Sequence, residues 1–236
     1  MTGSGGRFAA HRTTIAPMAF VVATQRMGYD EAWQIQRALA EARRAGRIPD
    51  VLWLLEHPPV YTFGRHGKRE DLWVDDATLA ALGASCVHSD RGGLMTWHGP
   101  GQTTGYVIAD VRDHGGVRRF VHGLVQAMAT ASGLDGVEVD DERMGAYIDG
   151  RKLGSVGIRV SAGITTHGVA LNRDPDLIWY ERMSACGAPD VAATSIAAEG
   201  GRAMRAVVEG AFAHALGDIF NLVFDPIELD ELCSRA

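Results

Sequence analysis

Cysteine is scarce: Cys86, Cys186 and Cys233 are the three in 236 residues. The number is odd, and no Cys-x-x-Cys or short Cys/His spacing occurs. That argues against a disulfide framework and a structural zinc site, so no metal is expected. Thiols left reduced imply a cytoplasmic setting. Long apolar runs are missing as well. Nothing approaches the roughly 18 consecutive residues of a membrane span, so no membrane partner is expected. Net positive charge is also lacking. The formal balance is -6 at pH 7, a poor match to nucleic acid, whose non-specific binding runs on phosphate neutralisation. No internal repeat, low-complexity linker or sharp composition change interrupts the chain. Residues 1–16 hold Gly, Ser, Arg and Thr without an apolar core. They do not read as a secretory signal and are expected to form a disordered tail, leaving 17–236 as a single domain.

What is present in quantity is glycine, 29 residues, scattered through the middle of the chain. Scattering suits tight turns and close backbone approaches rather than a linker. Short β-favouring runs fall at 20–24, 51–55, 60–63, 85–88, 94–97 and 104–111. Asp149-Gly150, between Ala146-Tyr147-Ile148 and Lys152-Leu153, is a two-residue hairpin signal. Strands follow at 155–160 and 164–171, and 224–229 reads as a last strand or coil. Helical stripes start near Asp30, which could cap a helix ending at Gly46, and recur weakly at 77–82 and again at 207–220. The clearest stripe is Val117, Phe120, Val121, Leu124, Val125 and Met128, with Gly133 as its stop. Strands in hairpin-like succession with a few helices between predict an α+β fold, a mixed β-sheet with packed helices. Three basic clusters, at Arg43, Arg44 and Arg47, at Arg65, Lys68 and Arg69, and at Arg118 and Arg119, are either solvated surface or a docking face for an acidic carrier.

The residues that could carry chemistry fall in two distant stretches. Asp90-Arg91-Gly92-Gly93-Leu94-Met95-Thr96-Trp97-His98-Gly99-Pro100-Gly101-Gln102 has too many glycines for a core segment and lacks the P-loop pattern. The second runs from Gly150-Arg151-Lys152 through Thr166-His167-Gly168 to Ala185-Cys186-Gly187. Cys186 is followed by Gly187-Ala188-Pro189, a loop context that suits a nucleophile, and the Gly187 N–H could help hold an oxyanion. A lone cysteine otherwise reads as a small buried hydrophobe; Cys86, in a strand, reads as core and Cys233 as incidental. Lys152 beside a hairpin turn reads first as an exposed charge. If buried beside Cys186, its ammonium would favour the thiolate and its amine could act as general base. His98 and His167 read more readily as structural histidines than as catalysts.

Together these residues resemble the lipoyl(octanoyl) transferase family. Arg91-Gly92-Gly93, Thr96, His98-Gly99-Pro100-Gly101-Gln102 and Tyr106 look like its first signature. Lys152, Gly157, Arg159, His167-Gly168 and Ala170-Leu171-Asn172 look like the second, and Cys186-Gly187 with Thr194-Ser195 like the third. Glu56-His57-Pro58 and Tyr61-Thr62 resemble an earlier segment, so the likeness covers roughly 51–199. It implies the catalytic fold of biotin and lipoate protein ligases, with Cys186 and Lys152 catalytic. It implies substrate contacts from Arg91, Gly92, Gly93, Leu94, Met95, Thr96, Trp97 and His98, from Ser155, Val156 and Gly157, and from Gly168, Val169 and Ala170. The implied reaction moves an octanoyl group from acyl carrier protein, through a cysteine thioester, to the acceptor lysine of lipoyl domains. The acceptors would be 2-oxoacid dehydrogenase complexes and the glycine cleavage H protein, and no cofactor is expected. Three rivals remain. An ATP-dependent lipoate or biotin-type ligase would need no cysteine, a carrier-binding scaffold would transfer nothing, and a cysteine hydrolase would want a Cys-His-Asn set that the resemblance does not supply.

Overall fold

The computed structural model describes residues 18–184 and 191–236. The expected N-terminal tail and Cys186 both lie outside the described residues. In chain order the strands are β1 (Met18–Arg26), β2 (Asp50–Glu56), β3 (Val60–Phe63), β4 (Ser85–His88), β5 (Met95–His98), β6 (Gln102–Ile108), β7 (Glu138–Asp140), β8 (Gly145–Ile148), β9 (Arg151–Ser161), β10 (Ile164–Asn172) and β11 (Val223–Pro226). The α-helices are α1 (Tyr29–Arg44), α2 (Asp76–Ala81), α3 (Val117–Ser132), α4 (Arg205–Phe220) and α5 (Leu229–Arg235). An eight-stranded sheet runs β11-β1-β2-β6-β10-β9-β8-β7, and a three-stranded sheet runs β4-β3-β5. β11, β1 and β2 are mutually parallel, as are β3 and β4; every other pairing is antiparallel. Hairpin succession therefore holds only for the β7–β10 half. The β1–α1–β2 unit is a helical crossover, as parallel strands require.

The large sheet is buried on both faces, which explains the unbroken apolar run of β2. Leu52 and Leu54 enter one core with Phe120, Leu124 and Met128 of α3 and Phe212 and Leu216 of α4. Val51, Trp53 and Leu55 enter the other with Ala32 and Leu39 of α1 and Leu232 of α5. Strand alternation sends successive side chains to opposite faces, and each face has its own helical cover. α3 spans the expected residues, and Gly133 closes it in the left-handed region at φ 64°. α1 begins one residue before Asp30, so Asp30 and Glu31 lie in the first turn, where they complement the helix dipole rather than cap it. The expected last strand or coil is the short β11, and α5, which follows it, is unexpected; its Leu232 is fully buried.

The small sheet carries a third core of Tyr61, Phe63, Met95 and Trp97. β4 is one of its two edge strands, and Cys86 on it is exposed rather than core. The Asp149-Gly150 turn is as expected. Both residues have positive φ, 47° and 75°, the pattern of a two-residue hairpin turn matched to strand twist.

Candidate active site

Two rows of residues cross the sheet face that α1 partly covers. Trp53, Tyr106, Gly168 and Gly157 are in register across β2, β6, β10 and β9, and Leu55, Thr104, Ala170 and Ser155 form the next row. Side chains shrink along both rows, so the face falls away into a trough over β10 and β9. At Gly168 no side chain fits at all, since a Cβ there would overlap the Gly105 carbonyl oxygen. The segment 91–94 roofs the trough. Gly92 N–H donates to the Ile158 carbonyl of β9 (2.9 Å), and Gly64 N–H to that of Leu94 (2.8 Å). The result is a cavity of about 260 Å³ between the two sheets.

Lys152 lines this cavity and is only 7% exposed. Plain alternation along β9 would put residue 152 on the opposite face from 155 and 157. A register shift against β8, where Ala146 pairs Gly154 but Tyr147 pairs Lys152, brings all three to the cavity. Bulges commonly re-aim a side chain in this way. Its Nζ sits 5.5 Å from the centre of the Tyr147 ring, whose other cationic neighbour is Arg143 at 4.0 Å. The Lys152 main chain is held on its free side by residues just past the expected nucleophile: Lys152 N–H donates to Ala192 O (2.8 Å), and Thr194 N–H to Lys152 O (2.9 Å).

The first signature motif divides in two. Arg91, Gly92, Gly93, Leu94, Met95, Thr96 and His98 line the cavity, as do Ser155, Val156, Gly157, Gly168, Val169 and Ala170. Trp97 does not. It is fully buried in the small-sheet core, stacked on Trp179 at 5.6 Å between ring centroids. Gly99 and Gly101 serve packing: a Cβ on Gly99 would overlap the Trp97 ring, and one on Gly101 the Asp174 main chain.

A hydrogen-bonded chain of motif residues stiffens the walls. The Arg91 guanidinium donates to Thr62 O (2.6 Å) and Thr62 Oγ1 (2.9 Å). His98 Nδ1–H donates to Gln102 Oε1 (2.8 Å), leaving Nε2 to accept from the Thr62 hydroxyl (3.3 Å). Gln102 reaches Asn172 (3.0 Å), which donates to Thr194 O (2.9 Å). Burial, with His57 and Arg91 nearby, holds His98 well below the usual imidazole range. His57 donates Nδ1–H to Met27 O and accepts from Tyr106 Oη, both at 2.7 Å, and burial pushes it down to about 4. His167 has φ 62°, outside the regions a non-glycine residue favours. Its N–H is fixed by Gln36 Oε1 (2.7 Å) and its Nε2–H by Asp90 Oδ1 (2.8 Å). That hydrogen bond from His167, with the Arg159 guanidinium alongside, lowers the Asp90 carboxyl to about 2, while burial keeps the imidazole itself below its ordinary value.

Sequence reasoning missed part of the lining. Tyr29, Thr104, Tyr147, Val191 and the turn carrying Glu142, Arg143 and Met144 also face the cavity. Tyr29 arrives from the start of α1, far from either signature in sequence, and only the packing of α1 on the sheet brings it in. Among the described residues no group of His, Cys, Asp and Glu could hold a metal ion, and no helix is long and apolar enough to cross a membrane.

The site is thus a buried amine in a cavity walled largely by the main chain of a mixed sheet. The chain belongs to the lipoyl protein ligase A/B catalytic domain family, whose model matches residues 28–214. Its sequence relatives include octanoyltransferases. That of Rubrobacter xylanophilus is 42% identical over 201 residues, 80% of this chain and 90% of that one. That of Mycolicibacterium smegmatis is 40% identical over 201 residues (80% and 85%), and a mitochondrial one from Arabidopsis thaliana is 36% identical over 177 residues (73% and 75%). A solved bi-partite lipoate protein ligase from Thermoplasma acidophilum shares the fold, with a TM-score of 0.70 at 13% identity over 92% of this chain and 91% of that one. So does a lipoate-protein ligase A bound with ATP, with a TM-score of 0.67 at 12% identity over 93% of each chain.

Proposed function

We propose that this acyltransferase takes an octanoyl group from acyl carrier protein onto Cys186 and passes it to the acceptor lysine of a lipoyl domain. The acceptors are lipoyl domains of 2-oxoacid dehydrogenase complexes and the glycine cleavage H protein. The observation that carries the reading is Lys152, buried in an otherwise largely apolar cavity and hydrogen-bonded through its main chain to residues 192 and 194. Cys186 is only six residues from Ala192 in sequence.

The chemistry takes two balanced steps. The Cys186 thiolate attacks the carbonyl carbon of the donor thioester; a new C–S bond forms, the donor C–S bond breaks, and the carrier thiol leaves with a proton. The acceptor amine then attacks the acyl-enzyme carbonyl. Lys152, whose ammonium gave the carrier thiol its proton in the first step, is now the neutral base: a C–N bond forms, Cys186 leaves as thiolate, and the amine proton passes to Lys152. Thioester exchange is nearly balanced and amide formation is downhill, so no ATP enters. Each buried methylene of the octanoyl tail contributes about 0.8 kcal/mol to binding. Three thiols without a Cys-x-x-Cys suit a reducing compartment, the cytoplasm.

Intact-mass measurement after incubation with octanoyl carrier protein tests this directly. An octanoyl adduct is expected on the wild type and none on Cys186→Ala; an adduct that survives the substitution refutes the nucleophile. Thiol alkylation followed against pH tests the partner. Lys152→Ala should shift the Cys186 profile to higher pH, and an unmoved profile breaks the pairing. Turnover that depends on added ATP would instead establish the ligase reading.

A further inference from the structure

In sequence Cys186 falls between two stems, 180–184 and 191–194. The upstream stem runs along the chain that follows β3. Trp73 N–H donates to Arg182 O (2.8 Å), and Ser184 N–H to Asp71 O (2.7 Å). The downstream stem runs along β9, where Ala192 and Thr194 bracket the Lys152 main chain and Ala193 pairs with Lys152 in parallel. The Asn172 side chain is bonded to both. Asn172 ends β10 on the face shared by Gly168 and Ala170, and it is buried. Its Oδ1 accepts from Tyr180 Oη of the upstream stem (2.8 Å) and from Gln102 Nε2 (3.0 Å). Its Nδ2 donates to Thr194 O of the downstream stem (2.9 Å). The amide can sit only this way round, because a main-chain carbonyl cannot donate. One planar group thus sets the separation of the two stems.

We propose that Asn172 is a positioning residue for the transfer reaction: by holding Tyr180 and Thr194 on one amide, it keeps the chain that bears the thiol in place against Lys152. This rests on the transfer reading above, in which Cys186 and Lys152 act as a pair. The route is short. Thr194, whose O accepts from Asn172, donates its N–H to Lys152 O. Other charged or titratable groups also surround the amine. They are Arg91 of the roof, Glu142 and Arg143 of the turn, Tyr147 of β8, and Tyr29, Tyr106, His98 and His167 across the cavity. None of these hydrogen-bonds to Asn172, so a change at 172 reaches the thiol through the stems and not through them.

The test follows alkylation of Cys186 against pH, read by peptide mass so that Cys86 and Cys233 do not contribute. Asn172→Leu keeps the shape and removes all the side-chain hydrogen bonds. Tyr180→Phe removes the upstream bond alone. Both should move the Cys186 profile to higher pH. The alkylation rate at pH 7 should fall at least about tenfold in Asn172→Leu and about threefold in Tyr180→Phe, with kcat falling alongside and KM for the octanoyl carrier within about threefold of wild type. Leu232→Ala, in the remote α5, supplies the control for lost stability and should leave the profile where it is. Wild-type profiles in both variants, whatever their melting temperatures, reduce Asn172 to a packing role and overturn the proposal. If Asn172→Leu does not accumulate as folded protein, Tyr180→Phe decides alone, and a wild-type profile there is fatal. Lys152→Ala is measured in parallel. A shift in Lys152→Ala without one in the other two sinks this proposal and leaves the transfer reading standing. No shift in Lys152→Ala sinks the thiol–amine pairing and the role of Asn172 with it.

Discussion

His98 and His167 line one cavity and His57 packs behind Tyr106, and each is held below the ordinary histidine range first of all by burial. The consequence for stability has a definite sign. Unfolded histidine takes a proton near 6.5, while His57 in the fold waits until about 4. The unfolded chain therefore binds protons first as pH falls. Stability is whole above about 6.5, declines down to about 4, and is flat below that for this residue, a loss on the order of 3 kcal/mol. His98 acts in the same direction. Asp90 belongs to a lower window, since its stabilisation is lost only as pH falls from the carboxylate range toward about 2. His57→Gln retains a donor for Met27 and an acceptor for Tyr106 but does not titrate. Urea midpoints for this variant between pH 7 and 4 should fall less steeply than for the wild type, and parallel slopes would show that His57 does not contribute.

The elements set the cavity by omission as much as by contact. Gly168 lies in the middle of β10, where its neighbour β6 approaches so closely that alanine has no room. Gly168→Ala should cost more than about 3 kcal/mol, seen as a large drop in melting temperature or as failure to accumulate folded protein. An unchanged melting temperature would mean the two strands can separate freely. This level also shows what could be read in advance. The α3 stripe, the Asp149-Gly150 turn and the glycines at 92 and 157 announce themselves through period, turn chemistry and spacing. The rest depends on pairing that local sequence does not encode. Lys152 looks like a surface charge because it follows a hairpin turn, and only the β9 bulge turns it inward. Trp97 reads as part of a binding run, but alternation along β5 sends it into the small-sheet core. Tyr29 and Thr104 carry no local signal, because a helix and a strand distant in sequence deliver them.

At the scale of the molecule, β2 couples the two main cores: residues 52 and 54 enter one, and residues 51, 53 and 55 the other. Neither core can be lost while the other keeps its sheet. Calorimetry should therefore show a single unfolding transition. Leu232→Ala, in the short α5 beneath one face, should lower the midpoint of that whole transition by an amount equivalent to about 2–4 kcal/mol. A separate early transition in the variant would show instead that α5 and its core melt alone. The exposed part of the cavity lining has a consequence of its own. Its two exposed residues, Glu142 and Arg143, share one turn, while the roof at Gly92 is stitched to β9. If, as the proposed transfer requires, a donor and an acceptor protein both reach the cavity from that side, they must queue. The first has to depart, leaving its cargo behind, before the second can enter, and initial-rate plots at several fixed donor concentrations should then run as parallel lines.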